Sequence, residues 1–172
     1  MEIKTDRLLI RFIKESDHNA IRTIRQDFSL SNYAQYDKPS CLDEDSVRLR
    51  VAKWAAANAG REHMFFAVCK ADIVIGYIAF NKRDNGYETG YCFHSAYQGK
   101  GYAKESFSAL IGYLRGLGIT RLTAGTAPAN TPSVTFLNSL GFRQTGTEKV
   151  SFYKDTNGND IFFDGGIFEL DL

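Results

Sequence analysis

Apolar and polar positions alternate from the start of the chain. Leu8, Ile10 and Phe12 fall on one face of an extended segment and Arg7, Leu9 and Arg11 on the other, which predicts a first strand over Thr5 to Ile13. The period then lengthens to that of a helix. A short helix is expected from Ser16, a suitable N-cap, to the neighbourhood of Gln26. A loop from Phe28 to Ser40 carries Tyr33, Tyr36 and Pro39. Beyond it, Val47, Val51, Trp54 and Ala55 share a helical face, predicting a second helix from Asp43 to Ala59, ended by Gly60.

Strand patterns follow. Met64 to Cys69 and Ile73 to Asn81 flank a Lys70-Ala71-Asp72 turn, and Asn85-Gly86 marks a hairpin into Tyr87 to Phe93. A third helix bears Phe107, Leu110, Ile111 and Leu114 and ends near Gly116 or Gly118. Arg121 to Thr126 reads as another strand, and Thr131-Pro132 opens a helix that reaches Leu140 and stops at Gly141. Phe142 to Lys154 and Ile161 to Leu170 form a closing hairpin around Thr156-Asn157-Gly158-Asn159. This order predicts an α+β fold with one mixed, mostly antiparallel, twisted sheet of about seven strands and about four helices. The strand–helix–strand unit from Tyr87 to Thr126 calls for a parallel pair through a crossover. Ligands of such units bind at the carboxyl ends of the strands, where neighbours diverge.

At 172 residues, a single domain over residues 1–172 is expected, long enough to bury roughly two thirds of its unfolded surface. An apolar fraction of 44% and an aromatic fraction of 13% exclude a disordered chain. With a net charge of +1 and scattered lysines and arginines, neither nucleic acid nor a membrane is an expected partner. Glu2, Lys4, Asp6 and Arg7 leave no room for the apolar region of a signal peptide, and the run Ile73 to Phe80 is too short to span a bilayer. Cys41, Cys69 and Cys92 form no C-x-x-C pair, and His18, His63 and His94 have no metal-ligand spacing. No metal is expected, and a reducing cytoplasm is the expected compartment.

The densest chemistry lies in Tyr97-Gln98-Gly99-Lys100-Gly101-Tyr102-Ala103-Lys104, between a strand and a helix. Glycines there let backbone N–H groups converge at the positive end of the helix dipole, and Lys100 and Lys104 add charge. This is the chemistry of a pyrophosphate loop. A P-loop would need G-x-x-x-x-G-K-[ST] and a dinucleotide turn G-x-G-x-x-G, yet Ala103 and Lys104 follow where a third glycine would stand. On spacing alone, an ordinary turn opening a helix is an equal reading.

The order Gln98-x-x-Gly101-x-Ala103 resembles the acetyl-CoA signature Q/R-x-x-G-x-G/A of the GNAT superfamily of N-acetyltransferases. Thr5-Asp6-Arg7-Leu8-Leu9-Ile10-Arg11 is similar to the T-x-R-L-x-L-R opening strand of its ribosomal-protein N-terminal acetyltransferase (RimJ/RimL-like) branch. Glu88-Thr89-Gly90-Tyr91 is similar to the E-x-G-Y strand of that branch, and Asn130-Thr131-Pro132-Ser133 with Leu140-Gly141-Phe142 to its N-x-x-S and G-F. These segments stand in order over nearly the whole chain; Ser16 to Arg61 is where the branch varies with substrate.

The resemblance implies the GNAT fold, its sheet splayed between the fourth and fifth strands, Tyr87–Phe93 and Arg121–Thr126. It implies an acetyl-CoA-dependent enzyme that transfers acetyl directly to a primary amine through a ternary complex. The amine acceptor is a protein N-terminal α-amino group or a small molecule, and the cosubstrate is acetyl-CoA, with no metal. Gln98, Gly99, Lys100, Gly101, Tyr102, Ala103 and Lys104 are implied at the pyrophosphate, and Cys92 and Phe93 backbone groups at the pantetheine and thioester carbonyl. Asn130 and Ser133 are implied at coenzyme A. A monomer or a homodimer fits equally.

An amine is protonated near neutrality and must lose a proton before it attacks. The family pattern makes Glu88 the general base, acting through water; an exposed strand glutamate in a hairpin pair is the other reading. Ser133 is the candidate acid for the departing thiolate, with Tyr153 as the alternative. Asn130-Thr131-Pro132-Ser133 is also an ordinary helix start, with Thr131 or Asn130 as the N-cap and Thr131, directly before Pro132, the better one. Phe28, Tyr33, Tyr36 and Phe152 either line the acceptor site or tuck onto the core. A non-catalytic acyl-CoA-binding sensor on the same fold is the competing function, and retention of both Glu88 and Ser133 argues against it.

Overall fold

The first expected strand is shorter than its alternation, and an additional strand precedes it. In a computed structural model describing residues 1–172, the Thr5 N–H donates to the Leu8 carbonyl at 3.0 Å, and its Oγ1 accepts from the Leu8 N–H at 3.1 Å. The tight turn so closed takes residues 5–8 out of the strand expected over Thr5 to Ile13, leaving β2 (Leu9–Phe12), and pairs it with β1 (Glu2–Lys4), a strand that alternation does not predict. The sheet therefore has eight strands rather than about seven.

Ser16 does not cap the next helix. It lies in a 3₁₀ turn, Glu15–Asp17, and α1 (His18–Ser29) starts after it and runs past Gln26. The turn forms because Asp17 takes a paired hydrogen bond from the two Arg11 Nη groups, at 2.7 and 2.8 Å, and one from the Lys14 N–H at 2.7 Å. α2 (Glu44–Ala57) is capped by Asp43, whose carboxylate accepts from the Ser46 N–H at 2.9 Å. The remaining elements are β3 (His63–Lys70), β4 (Ile73–Arg83), β5 (Gly86–Phe93), α3 (Tyr102–Gly116), β6 (Arg121–Thr126), α4 (Thr131–Ser139), β7 (Arg143–Lys154) and β8 (Asp160–Asp171). No helix is long and apolar enough to cross a membrane.

The strands lie in the order β1-β2-β3-β4-β5-β6-β8-β7, and the β5–β6 join is the parallel one. Helices cover both faces. Phe66, Val68, Phe80 and Phe93 pack with Phe107, Leu110 and Leu114 of α3 and Leu137 of α4. Ala67, Cys69, Tyr77 and Cys92 pack with Ile21 and Ile24 of α1 and Val47 and Val51 of α2. Burial on both sides is why β3 reads as an unbroken apolar run rather than an alternation. Phe107 is fully buried, its ring edge-on to Phe80, Phe136 and Phe142 at 5.6, 5.7 and 6.1 Å.

β5 and β6 touch over a short span only. Tyr87 pairs with Leu122 and Glu88 with Thr123, whereas β5 pairs with β4, and β6 with β8, along their whole lengths. At the start of β5 the two halves are pressed together, because Gly86, at φ +144°, would bring a Cβ within 2.4 Å of the Arg121 carbonyl oxygen. Beyond Glu88 they part.

The Arg11–Asp17 pair fastens the first strands to α1, and Asp17 is only 6% exposed. Burial pushes the Asp17 carboxyl up, but the Arg11 and Lys14 hydrogen bonds outweigh it and hold the group below its ordinary range. Asp17→Ala leaves a guanidinium without its counter-charge and is expected to cost about 3–5 kcal/mol at neutral pH. A carboxyl lowered in the folded state stabilises above its unfolded value, about pH 4, and that contribution fades as pH falls through the folded one. Urea unfolding of wild type and variant should therefore differ most at neutral pH and converge in acid; a gap that stays constant into acid contradicts this account.

Candidate active site

The gap between β5 and β6 is open on one face for a simple reason. Tyr87, Tyr91 and Phe93 belong to the core beneath α3 and α4, so Glu88, Gly90 and Cys92 turn to the α1–α2 side. Leu122 and Ala124 of β6 likewise face α3 and α4, which turns Thr123 and Gly125 the other way. A Cβ at Gly90 or at Gly125 would meet nothing within 4 Å. Two glycines thus flank the gap, and from Thr89 to Phe93 the β5 backbone has no strand partner on the β6 side.

The glycine loop sits at the carboxyl end of β5. Asp27 of α1 fixes the turn before it, accepting from the Ser95 N–H and hydroxyl, both at 2.7 Å. Burial would raise the Asp27 carboxyl, and these bonds hold it low instead. The Gln98 side-chain amide donates to the Phe93 carbonyl at 2.8 Å, tying the loop to the strand end. Gly99 and Gly101 adopt left-handed φ values of +70° and +80°, which other residues rarely tolerate. Gly101 is the N-cap of α3 and supplies no side chain to the first N–H groups of the helix, which stay free for a ligand. A Cβ at Gly99 would meet nothing within 4 Å, so the mouth of the loop is clear.

The side chains around the loop divide differently from the motif. Tyr102 is buried and Ala103 packs on the core, so both offer backbone only. The Lys100 ammonium folds back to donate to the Ala96 carbonyl at 2.7 Å, while Lys104 is exposed.

Glu88 occupies the last position at which β5 pairs with β6, and both readings of it hold a part of the geometry. Arg83 donates to its Oε2 through Nε, at 2.8 Å, and through Nη2, so the hairpin pair is real. Both bonds land on one oxygen, and the side chain is 43% exposed, which leaves Oε1 for another partner.

Asn130, not Thr131, caps α4: its Oδ1 accepts from the Ser133 N–H at 3.4 Å, and the Thr131 hydroxyl turns back to the Ala129 carbonyl. The Ser133 hydroxyl lies 2.8 Å from that of Tyr91. Burial pushes the Tyr91 phenol up to about 12, although the Ser133 bond pulls the other way. A phenol so weakly acidic is protonated at neutral pH, so either hydroxyl can donate; with Tyr91 as the donor, the serine hydrogen is left free. Tyr91 is absent from the residues the sequence singles out as chemical. Its motif names it, but no periodicity says which strand tyrosine finds a hydroxyl 42 positions away.

Glu88 and Ser133 are not neighbours. They lie on opposite faces of β5, and only the gap beside β6 connects them. The Tyr153 hydroxyl donates to the Ala34 carbonyl at 3.2 Å, which places it on the loop after α1. Tyr36 meets Phe163 at 5.3 Å, and Phe163 meets Phe152 at 5.6 Å, so these aromatics join that loop to the β7–β8 hairpin. Phe28 lies under Arg25, whose guanidinium pairs with Asp37 at 2.8 Å, and Tyr33 joins none of these aromatic contacts. Burial opposes the Arg25 charge, but Tyr77 and Asp37 outweigh it and raise the group.

Residues 7–143 match the family model described as an acetyltransferase (GNAT) domain. The chain belongs to this family. It is 31% identical over 166 residues to the uncharacterized N-acetyltransferase YnaD of Bacillus subtilis (strain 168), covering 95% of both. Its fold is similar to the acetyltransferase of Salmonella typhimurium that modifies the N-terminal serine of 50S ribosomal subunit protein L7/L12. The TM-score is 0.86 at 18% identity, over 100% of this chain and 99% of that one. A similar fold is seen in the microcin C7 self-immunity acetyltransferase MccE, solved with acetyl-CoA and AMP. There the TM-score is 0.81 at 17% identity, over 98% and 94% of the chains. Family and relatives make this GNAT chain an N-acetyltransferase enzyme.

Cys92 lies under the site, 6% exposed, and burial pushes its thiol up to about 12 despite the nearby Arg25 charge. Cys69 is buried and raised as well, whereas Cys41 is exposed. Brief treatment of the native GNAT protein with a maleimide at neutral pH is expected to modify Cys41 alone, all three reacting after unfolding. Peptide mass spectrometry reads this directly, and fast native labelling of Cys92 contradicts the buried, neutral thiol.

Proposed function

We propose that this enzyme transfers acetyl from acetyl-CoA directly to a primary amine, in a ternary complex, at the gap between β5 and β6. The observation that carries the proposal is the short parallel pairing, ending at Glu88 and Thr123, with a glycine loop and a free helix N-terminus at the carboxyl end of the same strand. The residues fit the cosubstrate. Backbone N–H groups from Gln98 to Lys104 would hold the pyrophosphate, where Gly99 leaves open space, and the Cys92 and Phe93 backbone, which has no strand partner on the β6 side, would hold the pantetheine. Acetyl-CoA, when bound, supplies an activated thioester.

Glu88 Oε1 takes the proton of the amine through water, from the face that Gly90 and Gly125 leave open. Ser133 gives its proton to the departing sulfur from the opposite face as the Tyr91 phenol proton passes onto its Oγ, and the phenol regains a proton from solvent once coenzyme A leaves, so no alkoxide is formed. Asn130 holds the Ser133 backbone and keeps its amide nitrogen for coenzyme A. A protein N-terminal α-amino group is the acceptor that the ribosomal-protein acetyltransferase of similar fold supports, and a small-molecule amine meets the same chemistry. Three unbridged cysteines support a reducing cytoplasm. The test is an acceptor screen with acetyl-CoA, covering N-terminal peptides and small amines. Absence of coenzyme A binding by calorimetry sinks the proposal.

Glu88→Gln should keep acetyl-CoA affinity and lose roughly 10²–10⁴-fold in turnover at neutral pH, the span of general-base catalysis. The deficit should shrink as pH rises and free amine accumulates. Wild-type turnover in the variant would move the base elsewhere.

Because Asn130 makes the cap, Ser133→Ala removes no capping side chain. Its melting temperature and acetyl-CoA affinity should stay near wild type while kcat falls, the mark of an interaction made as the sulfur leaves. A destabilised but fully active Ser133→Ala protein would show that the hydroxyl serves only the fold.

A further inference from the structure

The T-x-R opening of the chain is not used by the reaction, yet it reaches the loop. Four contacts converge on Glu105, in the first turn of α3. Thr5 Oγ1 donates to Oε1 at 2.6 Å, the Arg7 N–H to Oε1 at 3.1 Å, Arg7 Nε to Oε2 at 2.7 Å, and Arg7 Nη2 pairs with Oε2 at 2.6 Å. The same guanidinium donates through Nη1 to the Lys100 carbonyl at 3.1 Å and lies 4.6 Å from the centre of the Tyr102 ring. Its Nη2 is also the one atom near the position of a Gly101 Cβ, at 3.4 Å. One arginine therefore touches three consecutive parts of the loop: the carbonyl of Lys100, the cap Gly101 and the ring of Tyr102.

We infer that Thr5, Arg7 and Glu105 are positioning residues that hold the glycine loop in its ligand-binding conformation, so that the β1–β2 turn governs affinity for the diphosphate of the cosubstrate. The inference rests on the proposed reading of this loop as the coenzyme A site. Its physical basis is that Gly99 and Gly101 give the loop many backbone states, only one of which aims the N–H groups together. A clamp on the carbonyl between them removes the others. The arrangement is a fork, with Nε and Nη2 on one carboxylate and Nη1 on the loop, which a lysine cannot reproduce. Burial would raise the Glu105 carboxyl, but the Thr5 and Arg7 bonds outweigh it and keep it ionised at neutral pH.

The sign of one substitution separates this from plain electrostatics. Glu105 is an anion close to where phosphates would sit. If charge alone mattered, Glu105→Ala would tighten coenzyme A binding and Arg7→Lys would leave it unchanged. If the clamp positions the loop, both variants weaken binding. Should the loop spend a tenth of its time in the competent state without the clamp, the apparent Kd rises about tenfold. The expected results are that rise in Kd by calorimetry and in the acetyl-CoA KM for Glu105→Ala, Arg7→Ala and Arg7→Lys. The kcat at saturation and the acceptor KM stay within about twofold, as expected when only binding in the ground state is lost.

Calorimetry is run well below each melting temperature. A role confined to the fold would lower the melting temperature and leave Kd alone, and that result overturns the inference, as does tighter binding by Glu105→Ala. Should Glu105→Ala not fold, Arg7→Lys carries the same decision. A wild-type protein that binds no coenzyme A overturns the proposed function as well; a wild type that binds, beside variants that bind as well or better, overturns the clamp alone.

Discussion

Two residue pairs join the halves of this sheet. β5 is committed to β4 over its full length and β6 to β8 over its own, so each half carries its own twist. They can be parallel neighbours only where the twists cross, at Tyr87/Leu122 and Glu88/Thr123. Gly86 makes the crossing possible, since its missing Cβ lets the Arg121 carbonyl come close. Divergence after that point is the geometric result, and it frees a row of backbone groups beside the glycine loop. Such groups are tolerated in a folded protein when solvent or a ligand satisfies them.

This constraint also explains why the proposed base and acid come from different layers. A gap through a sheet has two mouths. The mouth toward α1 and α2 carries Glu88 and two glycines; the mouth toward α3 and α4 carries Tyr91 and Ser133. An amine arriving on one side and a thiol departing on the other need not share one pocket. Proton transfers at the two atoms are then separated by the thickness of a strand, which keeps Glu88 and Ser133 from neutralising each other directly.

Much of this was legible in the residues, and what was not shares one physical cause. Element types and most boundaries follow from local periodicity, capping and glycine stops, which act over a few residues. The errors lie where a side chain prefers a distant or unexpected partner. Alternation carries the first strand back to Thr5, but the Thr5 hydroxyl closes a turn with Leu8, and a separate short strand lies before it. Ser16 has the right hydroxyl for a cap, but Arg11 draws Asp17 into a 3₁₀ turn around it. Thr131 and Asn130 were both candidates, and the longer Asn130 side chain reaches the Ser133 N–H. Glu105 and Arg7 lie 98 positions apart, and no pattern along the chain pairs them. The glycine loop, by contrast, is a local device and was readable in full as backbone, though not in the folding back of Lys100.

The two sides of the gap also differ in how firmly they are built. Beneath α3 and α4, fully buried Phe66, Phe80, Phe107 and Phe168 belong to one core, and the loop proposed to take the cosubstrate is tied to β5 through Gln98, to α1 through Asp27 and to the β1–β2 turn through Arg7. The acceptor side rests on fewer and more exposed contacts. Tyr153 reaches Ala34 by one hydrogen bond, Phe152 is 37% exposed, and Phe162 beyond it is 61% exposed. Segments with few buried apolar contacts open at low free-energy cost. Under the proposed reaction that asymmetry is useful. Every turnover presents the same diphosphate, so a rigid loop loses nothing by being fixed in advance. The acceptor must enter and leave past Tyr36 and the β7–β8 hairpin, and contacts worth little each let that wall move without disturbing the strands that hold Glu88.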